Sequence, residues 1–488
     1  MTRIRTGRWA ACLCLLFLWQ SHLAAQPVAL TNVDILDLSG ADAQLRRDQS
    51  VIVNDGIITA VATTGELDLP ADARHIDGDG GTLIPGLIDS HVHIWDQADL
   101  PAYLSYGITT VRNMSGMPYL LDYQQQIAQG QLTGPRLLTT GPILNSPGPN
   151  AQLNHQLIET PDAAREAVRW QYARGFRTVK VYSNLSRAAY EAILDEADIL
   201  GMAITGHPPE GKREPGIPEE RPFDIAFDEL LDDDFVTLEH VESIVWHALY
   251  DRQDHEALQQ LAGRLAAAGV TVSPTLVAHH NLVRAASEKD AFVSRPGTEL
   301  MNPFLAQVEA PLVASWTALP PGTRKDYDAF YADAVRAFQD AGVRMVAGSD
   351  AGIFVNIPGQ SLLDELDLLV GAGLSPAQAL RTATTQAAAA LGLDDLGRIA
   401  AGYRAELLLL PGNPLDDMTV LQRPRGLMYQ DEWFDAEALA ALRREAIATA
   451  DAARTEAQAM SALAEQQSLA MPQGTNATPS PPRAQESR

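Results

Sequence analysis

Short apolar, β-branched runs recur along the middle of this chain, and stretches with helical spacing separate most of them. The first run, 83–90, reads as a buried strand that ends at His91-Val92-His93. Similar runs cover 107–112, 135–140, 177–182, 202–207, 236–240, 270–275 and 343–350. Residues 164–174, 187–200 and 255–268 carry the apolar spacing of helices. Strands that alternate with helices predict a parallel sheet. Eight such units close a barrel, and barrels of this kind carry their chemistry at the C-terminal strand ends. The predicted fold class is α/β: a (β/α)8 TIM barrel over residues 83–394.

The polar residues that end these runs are of metal-ligand type. A strand alternates faces, so His91 and His93 point the same way, and two imidazoles on one face can hold one ion. Lys180, His207, His240 and Asp350 each close a later run. Singly, each has a plain structural reading. His207 or His240 would be a hydrogen-bonded barrel residue, Lys180 an ion-pair member, and Asp350 a turn or cap residue after Gly348-Ser349. It is their shared placement at C-terminal strand ends that predicts a metal centre.

The segments PGLIDSHVH, GITTVRNM, GPRLLTTGPIL, TVKVY, ITGHPP, TLEHV, VSPTL and AGSDAG, with the stretch from Pro358 to Leu415, resemble the amidohydrolase superfamily over roughly residues 28–428. The likeness is to the branch with a lysine at strand 4, which includes Xaa-Pro dipeptidase-like and imidazolonepropionase-like members. That resemblance implies two divalent metal ions, zinc foremost. One would sit on His91, His93 and Asp350, the second on His207 and His240, with a carboxylated Lys180 bridging them. The chemistry explains the carboxylation: a free lysine amine, with a pKa of about 10.4, is a cation beside two dications, whereas its carbamate is an anionic ligand. The resemblance further implies a metal-bridging hydroxide as nucleophile and Asp350 as the catalytic proton acceptor. Its reaction would be hydrolysis of a carbon–nitrogen bond in an amide, dipeptide or cyclic amide. A phosphotriester or lactone hydrolase is the alternative on the same metal pair. A non-catalytic binding barrel is disfavoured because no ligand position is lost.

Substrate contacts are left open between two readings each. Tyr182 shares a face with Thr178 and Lys180 and could donate to a developing oxyanion, or be an ordinary rim tyrosine. Arg112 could pair with a substrate carboxylate or form an internal salt bridge. His155, in the loop after strand 3, is a further substrate-side position. The segment 353–360 is apolar and leans toward an apolar substrate portion.

Composition and the chain ends complete the picture. Among 488 residues, 36 basic against 62 acidic give a formal charge of −26, which argues against nucleic acid and anionic membranes as partners. A small-molecule substrate remains, and a homo-oligomer is left open. Residues 1–25 read as a secretory signal: Arg3, Arg5 and Arg8 precede an apolar core too short to span a bilayer, and Leu23-Ala24-Ala25 offers cleavage. Export to a bacterial periplasm follows, without stable membrane insertion after cleavage; an uncleaved anchor is the alternative. Both cysteines, Cys12 and Cys14, lie in that segment, so a thiol nucleophile is excluded from the mature chain. Residues 27–82 and 395–430 are expected to combine as a small composite β-sandwich, as the resemblance implies. A helical extension over 431–469 and a disordered tail over 470–488 follow. Insertions at 208–234 and 279–340 leave the catalytic face and could shape a lid. Where the family pattern carries an aspartate after the barrel, Glu406 stands here.

Overall fold

The computed structural model describes residues 26–148, 151–212 and 223–467. The signal-like segment 1–25, part of the 208–234 insertion and the tail 470–488 lie outside the described residues. No helix among the described residues is long and apolar enough to cross a membrane.

Eight parallel strands form the barrel: β1 (Leu87–Val92), β2 (Ile108–Asn113), β3 (Arg136–Thr139), β4 (Thr178–Val181), β5 (Ala203–Gly206), β6 (Leu238–Glu239), β7 (Thr271–Ser273) and β8 (Arg344–Met345). Regular parallel pairing runs β1 to β3 and β4 to β8. Thr178–Val181 pairs in parallel with Ile143–Asn145, which follows β3, and further hydrogen bonds close the two gaps. Gly141 N donates to Thr178 O at 2.8 Å, joining the end of β3 to β4. Ser90 N to Ala347 O (2.9 Å) and Asp350 N to His91 O (2.8 Å) join β1 to the segment after β8. That closure is tight: a Cβ on Gly348 would stand 2.6 Å from the His91 Cβ, so only glycine lets the strand ends approach.

The helices start and stop where the sequence chemistry says they should. Pro161–Arg174 has Thr160 as its cap, proline at its first position and left-handed Gly175 at its end. Arg187–Leu200 is capped by Ser186 and ends at left-handed Gly201. Their buried faces, Ala164, Ala167 and Val168 on one and Ala189, Ala192 and Ile193 on the other, belong to the barrel's apolar core.

Both chain ends build a second layer, a seven-stranded sheet whose order is Glu432–Asp435, Gly426–Tyr429, Leu407–Leu410, Arg74–Pro85, Val28–Asp37, Gln44–Asn54 and Ile57–Thr63. The sheet curls so that its last strand meets the segment before Leu407, through Ile58 N to Tyr403 O and Ala405 N to Gly56 O, both 2.8 Å. It encloses its own core, including Leu30, Ile35, Val51, Ile58, Leu83, Leu407 and Met428.

Two boundaries differ from the sequence reading. The run 83–90 is not one strand: Arg74–Pro85 belongs to the composite sheet, and the barrel begins at Leu87. The chain changes sheets at Gly86, where a Cβ would collide with Thr109. Both halves are buried, so hydropathy cannot mark the break. The composite sheet also extends past residue 430, because Gln430 and Asp431 take left-handed φ values of 48° and 66° and turn Glu432–Asp435 back as a hairpin. Helices Ala436–Thr449 and Ala452–Gln467 then pack on the barrel flank. There Arg454 grips Asp96 through two bonds of 2.9 and 2.7 Å.

Candidate metal and active site

His91 and His93 end β1, and both are buried, at 0% and 5% exposure. Ligand atoms of His91, His93 and Asp350 all lie within 4.8 Å of one another. Asp350 Oδ1 stands 3.2 Å from His91 Nε2 and 3.0 Å from His93 Nε2. Lys180 Nζ, wholly buried at the end of β4, is 3.2 Å from His91 Nε2. The His240 ring lies 4.7 Å from that of His91, and the His207 ring 4.4 Å from that of His240. The six residues picked out at strand ends therefore meet at one point, at the C-terminal mouth of the barrel.

Backbone strain helps to gather them. His240 has φ +65° and Asp350 φ +52°, a region that costs a non-glycine residue energy and that clusters at functional sites. At His240 the left-handed turn breaks strand alternation. Glu239 can then face the barrel interior while the next side chain reaches the mouth. Gly352 packs under His93, whose carbonyl any Cβ there would strike.

The electrostatics favour neutral imidazoles. Burial, followed by the charge of Lys180 or of neighbouring histidines, holds His91 and His207 well below their ordinary pKa. Burial also lowers His93 and His240. Burial brings Lys180 down to about 8. Burial alone would push Asp350 up, but its bond from His93 and the charges of His240, His93 and Lys180 overcome this and hold it below the usual carboxyl value.

The Nδ1 atoms of three histidines are committed elsewhere. His91 Nδ1 bonds Glu239 Oε2 at 2.7 Å, His93 Nδ1 bonds Ser115 Oγ at 2.8 Å, and His240 Nδ1 bonds Thr275 Oγ1 at 2.6 Å. Such partners fix the ring and turn Nε2 toward the shared point, where it can ligate. His207 Nδ1 is buried with no hydrogen-bond partner among the described residues, an orphan atom that an ion would satisfy. Neutral imidazole nitrogens with one ionised carboxylate are the donor set of zinc-type ions, so the residues fit a divalent metal.

Glu239, Ser115 and Thr275 are the functional residues that sequence reasoning missed. Glu239 carried a signal: it is a charged residue next to His240 within an apolar run. Nothing local marked the other two, because their partners lie 22 and 35 residues away.

The substrate-side expectations fare differently. Tyr182 lines the mouth cavity, and its ring lies 3.9 Å from that of His207. His155 sits behind it, ring to ring at 4.5 Å, and burial takes its pKa down to about 3. Arg112 does not reach the mouth. Arg112 is 4% exposed, and its guanidinium bonds Ser90 O (2.6 Å), Thr237 Oγ1 (2.8 Å) and Glu239 Oε1 (2.9 Å). The carboxylate it meets is Glu239, the internal salt bridge of the two readings.

The cavity above the site, about 580 Å³, is lined by His207, His240 and Asp350 together with residues of the long insertion. A closed parallel barrel with imidazoles, a carboxylate and a buried lysine at its C-terminal mouth defines the class of metal-dependent hydrolase barrels. Comparison with known proteins narrows this. The Amidohydrolase family model matches residues 230–432. Imidazolonepropionase of Salinispora tropica is 24% identical over 388 residues, spanning 75% of this chain and 86% of that protein. Bottromycin amidohydrolase shares the fold with a TM-score of 0.69 at 24% identity, covering 87% of this chain and 90% of that one. A Xaa-Pro dipeptidase with bound methionine gives 0.63 at 20% identity, covering 84% and 100%. Over residues 230–432 this chain matches the amidohydrolase family, and its likeness to imidazolonepropionase extends over 75% of its length.

Proposed function

We propose that this chain is an exported, binuclear zinc hydrolase that cleaves the carbon–nitrogen bond of a small amide, dipeptide or cyclic amide. The observation that carries the reading is the convergence of His91, His93, Lys180, His207, His240 and Asp350 at one barrel mouth. The imidazolonepropionase and dipeptidase likenesses support carbon–nitrogen chemistry. His91, His93 and Asp350 would hold one ion, His207 and His240 the other, and a carboxylated Lys180 both. Bound there, the ions would lower the pKa of a water and polarise the scissile carbonyl.

The chain's own groups do the rest. Asp350, kept ionised, accepts the proton released on attack and returns it to the leaving nitrogen. Glu239, Ser115 and Thr275 hold the imidazoles in the ligating tautomer. Tyr182 can donate to the developing oxyanion. Lys180, brought down to about 8, has enough unprotonated amine near neutral pH to capture CO₂ as a carbamate.

The test is a screen of zinc-loaded protein against dipeptides, N-acyl amino acids, cyclic amides, lactones and phosphotriesters. Hydrolysis confined to the first three classes is expected. Turnover of lactones or phosphotriesters alone would replace this reading with the ester one.

A further inference from the structure

The cavity above the metal site has an apolar wall. Leu282 comes from helix Leu276–Glu288, Leu312 and Trp316 from helix Pro303–Ala318, and Phe354 from the loop after Asp350. Leu312 and Trp316 are four residues apart and share one helix face. All four side chains are only half-buried, so each keeps apolar surface facing the cavity. The charged residues on the same cavity partly satisfy one another: Arg324 Nη2 lies 3.4 Å from Asp251 Oδ2 and 3.2 Å from Tyr331 OH.

Phe354 is held there against its backbone preference. Its φ is +52°, and that of Val355 is +62°, a region a β-branched residue rarely adopts. Such strain persists only where surroundings over-determine it. Here the surroundings come from the insertion. Glu309 accepts from Phe354 N at 2.8 Å. Arg295 Nη2 donates to Val355 O at 2.8 Å, and Asn281 holds Asn356 at 2.8 Å. Asn356 in turn donates to Asp350 O at 3.2 Å. The inserted helices thus supply both most of the wall and the clamps that turn Phe354 into it.

We infer that Leu282, Leu312, Trp316 and Phe354 form a subsite for a bulky apolar group of the substrate, an aliphatic or aromatic side chain flanking the scissile bond, and that Glu309 is the residue positioning Phe354 within it. The inference rests on the carbon–nitrogen hydrolase reading and gives it a substrate class.

A dipeptide series differing only in one side chain, Gly, Ala, Leu and Phe, tests it on the zinc-loaded full chain. One missing methylene in an apolar pocket changes discrimination by roughly 10–200-fold. The Phe or Leu substrate should therefore exceed the Gly substrate in kcat/KM by at least about 10-fold. Trp316→Ala and Phe354→Ala should bring that ratio close to one. Glu309→Ala should lower it too, and Glu309→Gln, which keeps an acceptor for Phe354 N, should restore it. A merely structural role for Glu309 would not move the ratio between substrates.

Calorimetric binding of the free amino acids gives a readout independent of turnover. Phenylalanine should bind more tightly than glycine, and Trp316→Ala should abolish the difference. If no dipeptide is cleaved but this binding preference holds, the reaction reading fails and the subsite stands. If dipeptides are cleaved with no size preference, or the preference survives in both wall variants, the subsite is refuted.

Discussion

Replacing Glu239 by glutamine should damage both the metal centre and the fold, for separable reasons. Glu239 is wholly buried between two partners: Oε2 faces His91 Nδ1 at 2.7 Å, and Oε1 faces Arg112 Nη2 at 2.9 Å. Thr205 Oγ1 adds a bond at 3.2 Å, and Thr237 Oγ1 another. Glutamine keeps the shape and an acceptor for Arg112. It offers His91 an N–H where an acceptor stood, so His91 must carry its proton on Nε2, the atom aimed at Lys180 and Asp350. A protonated nitrogen cannot ligate. Losing such an orienting partner typically weakens metal affinity by about 10–100-fold. Separately, Arg112 keeps a buried charge without its counter-ion, a change that costs about 3–5 kcal/mol when one member of a buried pair is removed. Zinc affinity would be read by competition with a chromophoric chelator, and stability by urea unfolding of metal-free protein. A Glu239→Gln protein within twofold in affinity and about 1 kcal/mol in stability would refute both arguments.

Three further outcomes follow from the geometry. Asp350→Asn should cut turnover by roughly 10²–10⁴-fold while losing less zinc than activity, because the amide oxygen can still ligate but cannot take a proton; wild-type turnover across the pH range would remove Asp350 from proton transfer. Arg454→Ala strands the wholly buried Asp96, but Arg454 is itself part-exposed, so the loss should be about 1–3 kcal/mol, visible as a lower melting temperature; an unchanged melt would mean the C-terminal helices are not anchored there. Burial pushes the Glu365 carboxyl up to about 8, against an unfolded value near 4.5. Between those values the folded chain keeps a proton that the unfolded chain releases, so stability falls as pH rises toward 8. Glu365→Gln, neutral throughout, should flatten that decline in urea midpoints, whereas a slope parallel to the wild type would contradict the shift.

The barrel was legible because each strand is a short apolar run and each ligand-type residue closes one. Strand periodicity also put His91 and His93 on one side. What stayed hidden depends on contacts distant in sequence or on single dihedral angles. The change of sheet at Gly86 lies inside a continuously buried run, and the hairpin at Gln430-Asp431 depends on two left-handed residues in a polar stretch. Arg112 was open between mouth and interior, and Glu239, 127 residues on, decides it. The cavity wall was the least legible part. Leu312 and Trp316 lie unmarked within the 279–340 insertion, and only its packing over the mouth brings them beside Phe354.

The most direct test of the account is a zinc titration of chelator-stripped protein, with bound ions counted per chain by elemental analysis and hydrolysis followed at each addition. The stripped protein should be inactive, bind two zinc ions with saturation, and reach full activity only as the second is taken up. Full activity in the stripped protein, or no saturable zinc binding at all, would contradict it.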